Sequence, residues 1–166
     1  MKKVKGKSEL IREIGIESRK QSNATIMFHQ AVADNVGLHI TDHKCLDLIF
    51  SEGPLTAGEL AHYTGLTTGA ITSVIDRLEK KGLVLRKDDP DDRRKVKLHM
   101  AHNPKFQSKL EKQFEGIAAG VFKLLSSYNE TELALILDYS QKATALLTQE
   151  RIRLRESGPS AKPTKD

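Results

Sequence analysis

The sequence predicts a mainly α fold with a small β-hairpin wing: a winged helix-turn-helix flanked by long dimerisation helices. Three observations predict it. Apolar residues recur at spacings of three and four over most of the 166-residue chain. That period breaks between Leu83 and Met100, where two strand-like segments surround an Asp-Asp-Pro-Asp-Asp turn. Just before it, Thr56 to Gly82 reads as two short helices joined by a glycine-containing turn. Aromatic residues make up 5% of the chain and tryptophan is absent, so the core is aliphatic, which suits helix-on-helix packing.

Residues 1–7 are lysine-rich and precede the first pattern. From Ser8 to Gly37, Leu10, Ile11 and Ile14, then Ala24, Met27, Phe28, Ala31 and Val32, mark one long helix. After a break at Leu38 to Ile40, Thr41 is the candidate N-cap of a second helix, Asp42 to Ser51, which Gly53 and Pro54 terminate. Thr56-Ala57-Gly58-Glu59 has the Thr-x-x-Glu form of a capping box, whose two ends satisfy each other's orphan backbone amides. The short helix it opens runs to Tyr63, and Thr64-Gly65-Leu66 makes a tight turn. Thr67 or Thr68 then caps a longer helix to Lys81, with Ala70, Ile71, Val74, Ile75 and Leu78 as one apolar stripe. Gly82 follows as the residue able to take positive φ past the helix end.

Leu83 to Lys87 and Arg94 to Met100 are the strands of the hairpin. In the second, Val96, Leu98 and Met100 alternate with Lys95, Lys97 and His99, giving one buried face and one basic face. Helical periodicity then resumes. Phe106, Leu110, Phe114, Ile117 and Val121 form a stripe, Asn129 and Glu132 resemble a second capping box, and Leu133, Ile136, Leu137, Ser140, Ala143 and Leu147 form another stripe. The organisation expected is an N-terminal dimerisation helix over 1–37, a winged helix-turn-helix domain over 38–101, C-terminal dimerisation helices over 102–155 and a disordered tail over 156–166. The outer helices run to roughly 20–30 residues against an average near 11–12. Their stripes are wider than the small central module covers, so a homodimer is expected, with a monomeric bundle as the alternative.

The formal net charge of +5 fits a nucleic-acid partner. Cys45 is the one cysteine, so no internal disulfide forms and a reducing, cytoplasmic location is expected. No apolar run approaches the ~20 residues that span a bilayer, and no apolar segment follows the basic start as in a secretory signal. No Ser-His-Asp set, glycine-rich phosphate loop or paired catalytic carboxylates stand in a recognisable frame, so neither an enzyme nor a cofactor is expected.

Over residues 25–150 the chain resembles the MarR family (multiple antibiotic resistance regulators) of bacterial transcription factors. The most specific element is Asp89-Pro90-Asp91-Asp92-Arg93-Arg94 followed by Leu98-His99-Met100, which is similar to the family's wing signature of Asp-x-Arg before an apolar strand. Leu60-Ala61, Leu78-Glu79-Lys80-Lys81-Gly82-Leu83-Val84 and the Leu38 to His43 spacing are also similar, in the same order. The chain departs from the pattern at Leu98-His99-Met100-Ala101, where the family usually has Val-x-Leu-Thr, and in lacking long polar side chains at the start of the recognition helix.

A recognition helix reads base edges in the major groove with its exposed N-terminal side chains. With the apolar stripe facing inward, Thr68, Gly69, Thr72, Ser73 and Arg77 face outward. Arg77 suits a bidentate guanine contact, and its late position suits a phosphate contact equally. On the wing, Arg93 and Arg94 stand at the hairpin tip, where an arginine reaches the electronegative minor groove of A·T-rich DNA. Arg86, Lys87, Lys95 and Lys97 would add phosphate contacts. The resemblance implies that Arg94 inserts and that Asp92 holds its guanidinium. The plain alternatives are a solvated helix face and a solvated charged turn.

The resemblance further implies a candidate small aromatic or lipophilic effector, bound between the winged module and the dimer helices, with Phe28, His29, Val32, Cys45 and Ile49 as candidate lining; ordinary core packing is the alternative. His39 and His43 are four apart, but His39 falls before the expected cap, and no metal site is expected. Cys45 reads as a small buried residue and not as a redox sensor. The function expected is a homodimeric sequence-specific regulator, acting as a ligand-responsive repressor on double-stranded DNA with a pseudo-palindromic operator and without a membrane partner. Its recognition helices would sit roughly 34–36 Å apart. The alternatives are a winged-helix protein-interaction module without specific DNA binding and a ligand-binding enzyme.

Overall fold

The computed structural model describes residues 5–92 and 94–157. The elements are α1 (Lys7–Val36), α2 (Ile40–Glu52), β1 (Leu55–Thr56), α3 (Ala57–Thr64), α4 (Thr68–Lys80), β2 (Val84–Asp88), β3 (Val96–Met100), α5 (Pro104–Leu125) and α6 (Glu130–Ser157). The fold is mainly α with a small antiparallel sheet, as expected. The tail expected to be disordered lies, from residue 158 on, outside the described residues.

Local chemistry accounts for the helix ends. Gly82 takes φ 65° after α4. Its N–H donates to Glu79 O at 2.8 Å, and the Leu83 N–H donates to Leu78 O at 3.0 Å. These two bonds satisfy carbonyls that α4 leaves open and turn the chain directly into β2. Gly37 ends α1 in the same way, with its N–H on Asp34 O at 3.1 Å and the Leu38 N–H on Ala33 O at 2.9 Å. The capping box is formed: Thr56 N–H donates to Glu59 Oε2 at 2.7 Å, and Glu59 N–H donates to Thr56 Oγ1 at 3.2 Å. Thr67, of the two candidates, caps α4, accepting the Ala70 N–H at 3.3 Å. The cap of α2 is His39 and not Thr41, because the His39 ring accepts the Thr41 N–H through Nδ1 at 3.2 Å and α2 starts at Ile40.

The sheet has three strands in the order β1-β3-β2. β1 was not foreseen. Leu55 pairs with Leu98 and Thr56 with Lys97, so the two residues before α3 cover the far edge of β3. Between β2 and β3 the register runs from Val84 opposite Met100 to Asp88 opposite Val96. The expected alternation on β3 holds in its inner part only. Leu98 is buried and Met100 half-buried, while Val96 is exposed because its pair with Asp88 lies out along the hairpin, beyond the core. That core gathers Leu38, Cys45, Leu46 and Ile49 with Leu60, the α4 residues Ile71, Val74, Ile75 and Leu78, and Leu98.

The chain divides into two compact units, and the division falls inside α5, after Phe114. The first half of α5 belongs with the winged core because Phe106 and Leu110 pack against it. In this unit α1 buries only Val32, Ala33 and Val36, near its C-terminal end. Leu10, Ile11, Ile14, Ile26 and Met27 remain exposed. The second unit comprises the rest of α5 and α6. α6 opens on a formed capping box, with Asn129 N–H donating to Glu132 Oε2 at 2.9 Å and Glu132 N–H to Asn129 Oδ1 at 3.0 Å. No described residue of α5 or α6 is fully buried; Phe122 is 76% and Leu147 72% exposed. No helix among the described residues is long and apolar enough to cross a membrane.

Candidate nucleic-acid interface

The hairpin tip is built by aspartates. Asp89 N–H donates to Lys95 O at 2.9 Å and Lys95 N–H to Asp92 O at 2.8 Å, closing the loop beyond the paired strands. The Asp89 carboxylate accepts the Asp91 N–H at 2.9 Å and pairs with Lys97 Nζ at 3.0 Å. The Asp91 amide, then Lys97, hold its carboxyl below the usual carboxylate range, while Asp89 raises the Lys97 ammonium above its own. Lys97 is thereby tied to the start of the tip loop.

Asp92 does the same for the tip. Its Oδ1 accepts from the Arg94 backbone N–H at 3.2 Å and from Arg94 Nε at 3.1 Å, and its Oδ2 from Arg94 Nη2 at 3.4 Å. The Arg94 side chain is nonetheless 91% exposed. The Arg94 guanidinium depresses the Asp92 carboxyl pKa, so the pair stays ionised at neutral pH. Lys95 stands 3.7 Å from the same carboxylate. Arg93 lies outside the described residues. Arg86 stays exposed but reaches back to α4, where it pairs with Asp76 at 2.9 Å and with Glu79.

On α4, Thr68, Gly69, Thr72 and Ser73 are exposed and Ile71, Val74, Ile75 and Leu78 buried. The Thr72 hydroxyl donates to Thr68 O at 3.0 Å and the Ser73 hydroxyl to Gly69 O at 3.1 Å. Their protons are thus committed to the helix backbone, and each hydroxyl oxygen presents lone pairs outward. A methyl added at Gly69 would meet nothing within 4 Å, so the protein's own packing leaves that position open. Arg77 folds back: Nε donates to Asp42 Oδ2 at 2.9 Å and Nη2 to Asp42 Oδ1 at 2.5 Å. The periodicity that puts Arg77 on the outer face of α4 gives no sign of a partner 35 residues earlier.

The candidate effector residues fall into two groups. Phe28 and His29 belong to an aromatic cluster with His43 and Phe114: the Phe28–Phe114 centroids are 5.5 Å apart and the His29–His43 centroids 5.5 Å apart. Cys45 and Ile49 are in the winged core, while Val32 is buried near the end of α1. Burial, then the Asp42 charge, pushes the Cys45 thiol up to about 11, so it stays protonated. His43 is 3% exposed, and neither ring nitrogen has a hydrogen-bond partner among the described residues. Burial lowers its pKa, which keeps the ring neutral. His43 and Phe114 complete this cluster, which the sequence does not reveal: one reads there as half of a His-x-x-x-His spacing and the other as part of an apolar stripe. Among the described residues no group of three or more His, Cys, Asp or Glu is placed to hold a metal ion.

Comparison with known proteins gives the same frame. The MarR family model matches residues 38–96. The uncharacterized HTH-type transcriptional regulator YcgE of Bacillus subtilis (strain 168) is 41% identical over 140 residues, which is 83% of this chain and 88% of the relative. A MarR family protein from Bacillus stearothermophilus superimposes with a TM-score of 0.66 at 21% identity, over 87% of this chain and 99% of that one. FabT of Streptococcus pneumoniae, solved in complex with DNA, gives a TM-score of 0.63 at 22% identity, over 84% of this chain and 98% of its own. The wing, the capped helix pair and this close relative together establish that the chain belongs to the MarR family of transcriptional regulators.

Proposed function

We propose that the protein is a homodimeric, sequence-specific DNA-binding repressor of a short pseudo-palindromic operator, released by a small aromatic or lipophilic effector. The observation that carries the DNA-binding part is Arg94, almost fully exposed at a hairpin tip yet fixed in direction by Asp92. A guanidinium so presented suits a narrow, electronegative minor groove. FabT, a protein of the same fold, was solved in complex with DNA, which supports DNA as the partner. The outward oxygens of Thr72 and Ser73 suit base amino groups, adenine N6 and cytosine N4, in the major groove. The open space over Gly69 would let the DNA approach α4 closely.

Homodimerisation is supported by the apolar side chains that α1, α5 and α6 leave exposed, among them Leu10, Ile11, Ile14, Phe122, Leu146 and Leu147. Large apolar side chains left exposed in such number suit an interface. The effector reading rests on the Phe28, His29, His43 and Phe114 cluster, where the buried His43 imidazole, without a hydrogen-bond partner among the described residues, offers a polar handle in an aromatic setting. The tethering of Arg77 and Arg86 to carboxylates favours the second reading, a winged protein-interaction module.

Selection from a random duplex library separates the two readings. Recovery of a pseudo-palindromic consensus supports the regulator, and unselective recovery supports the module. Light scattering of the free protein should give twice the 18.5 kDa chain mass.

A further inference from the structure

The face that α4 turns inward is aliphatic, and the hydrophobic effect that buries it is non-directional. A polar link crosses from α4 to α2 at Arg77. Its acceptor, Asp42, sits in the first turn of α2 and is 1% exposed. Both carboxylate oxygens face one guanidinium, a two-point fork that fixes direction as well as distance. A carboxylate buried to this degree strongly disfavours losing its partner. Arg77 also shares a helix face with Gly69 and Ser73, at successive steps of four. Clamping Arg77 therefore clamps the rotation of the face that carries them.

We propose that Asp42 and Arg77 are positioning residues, which set the rotation at which Gly69, Thr72 and Ser73 meet the major groove, and that Arg77 makes no DNA contact of its own. This rests on the DNA-binding reading above. It also gives α2 a place between two sites. His43, the residue after Asp42, packs in the aromatic cluster with His29 of α1 and Phe114 of α5. A displacement of α2 at that cluster would reach the reading face of α4 through the fork.

The test compares wild type, Arg77→Met, Asp42→Asn and the double variant on two probes: the duplex that wild type recovers from a random library, and a scrambled duplex of the same composition. Positioning predicts that both single variants lose roughly tenfold in the ratio of the two affinities. The double variant loses no more than either single one, and the salt dependence is unchanged throughout. If Arg77 touches phosphate, Arg77→Met alone lowers the salt slope by about one per subunit, and Asp42→Asn leaves selectivity intact; either result overturns the proposal. Equal losses on both probes would mean a smaller folded fraction, and would overturn it too. Should Arg77→Met fail to fold, Arg77→Lys keeps a cation beside Asp42 without the fork; it should fold and still lose selectivity, and retained selectivity would count against the proposal. A wild-type protein that recovers no preferred duplex sinks the DNA-binding reading itself, a result distinct from all of these.

Discussion

The wing tip and the end of α4 each carry an aspartate gripping an arginine, and the two grips differ in what surrounds the carboxylate. Asp92 is half-buried and holds an Arg94 that is almost wholly exposed; Asp42 is buried and holds an Arg77 whose side chain is about half exposed. The chemistry of the pair is the same. In the first, water reaches the guanidinium freely, so the bond selects a rotamer and contributes little to stability. In the second, the carboxylate is removed from water and depends on the arginine for its pairing. An arginine near a recognition helix is therefore assigned by the burial of its acceptor, not by its helix face.

The largest effect that bears on this contrast is salt dependence. A dimer contacting roughly 6–10 phosphates loses about 10³–10⁵ in affinity between 50 and 200 mM salt. If the wing supplies the cations and α4 mostly neutral groups, Thr72→Ala and Ser73→Ala lower selectivity without changing that slope. A titration on selected and scrambled duplexes measures both. Next in size is stability without DNA. Asp42→Asn should cost about 1–3 kcal/mol, since a buried charge-assisted fork is weakened, while Asp92→Asn should leave the denaturant midpoint unchanged. Equal midpoint shifts would erase the distinction between the two grips.

A smaller effect concerns pH. Because burial lowers the His43 pKa, the folded protein binds that proton less readily than the unfolded chain does. Its contribution is present above the unfolded value of about 6.5 and is lost as pH falls through the folded value. Melting temperature should fall between pH 7 and pH 5, and His43→Phe should flatten that fall. The smallest effect is at Cys45, whose protonated thiol should resist alkylation at neutral pH until the protein is unfolded; rapid labelling of the native protein would contradict its burial.

What was legible in the sequence were features whose cause is local. The Thr56–Glu59 and Asn129–Glu132 boxes, the Gly82 stop and the apolar stripe of α4 each depend on residues within a turn or two, and all are formed. The tip hairpin follows from Asp, Pro and Asp in sequence. What was not legible depends on partners distant in the chain. β1 is two residues long and becomes a strand only because β3 offers it an edge. The Asp42–Arg77 fork joins residues 35 apart, and Arg86 reaches back to Asp76 and Glu79 across a helix end. His43 meets His29 and Phe114 from three different helices, which no single periodicity reveals. The cap of α2 was misplaced for a different reason: a histidine ring nitrogen took the part that side-chain oxygens usually play.

The most direct test of the account is a salt titration of wild type and Arg94→Ala on the duplex that wild type selects, with circular dichroism as a fold control. The account predicts an unchanged fold, an affinity loss of roughly tenfold or more, and a salt slope lower by about one per subunit. Arg94→Ala binding with wild-type affinity and slope would remove the wing from DNA recognition and contradict the account.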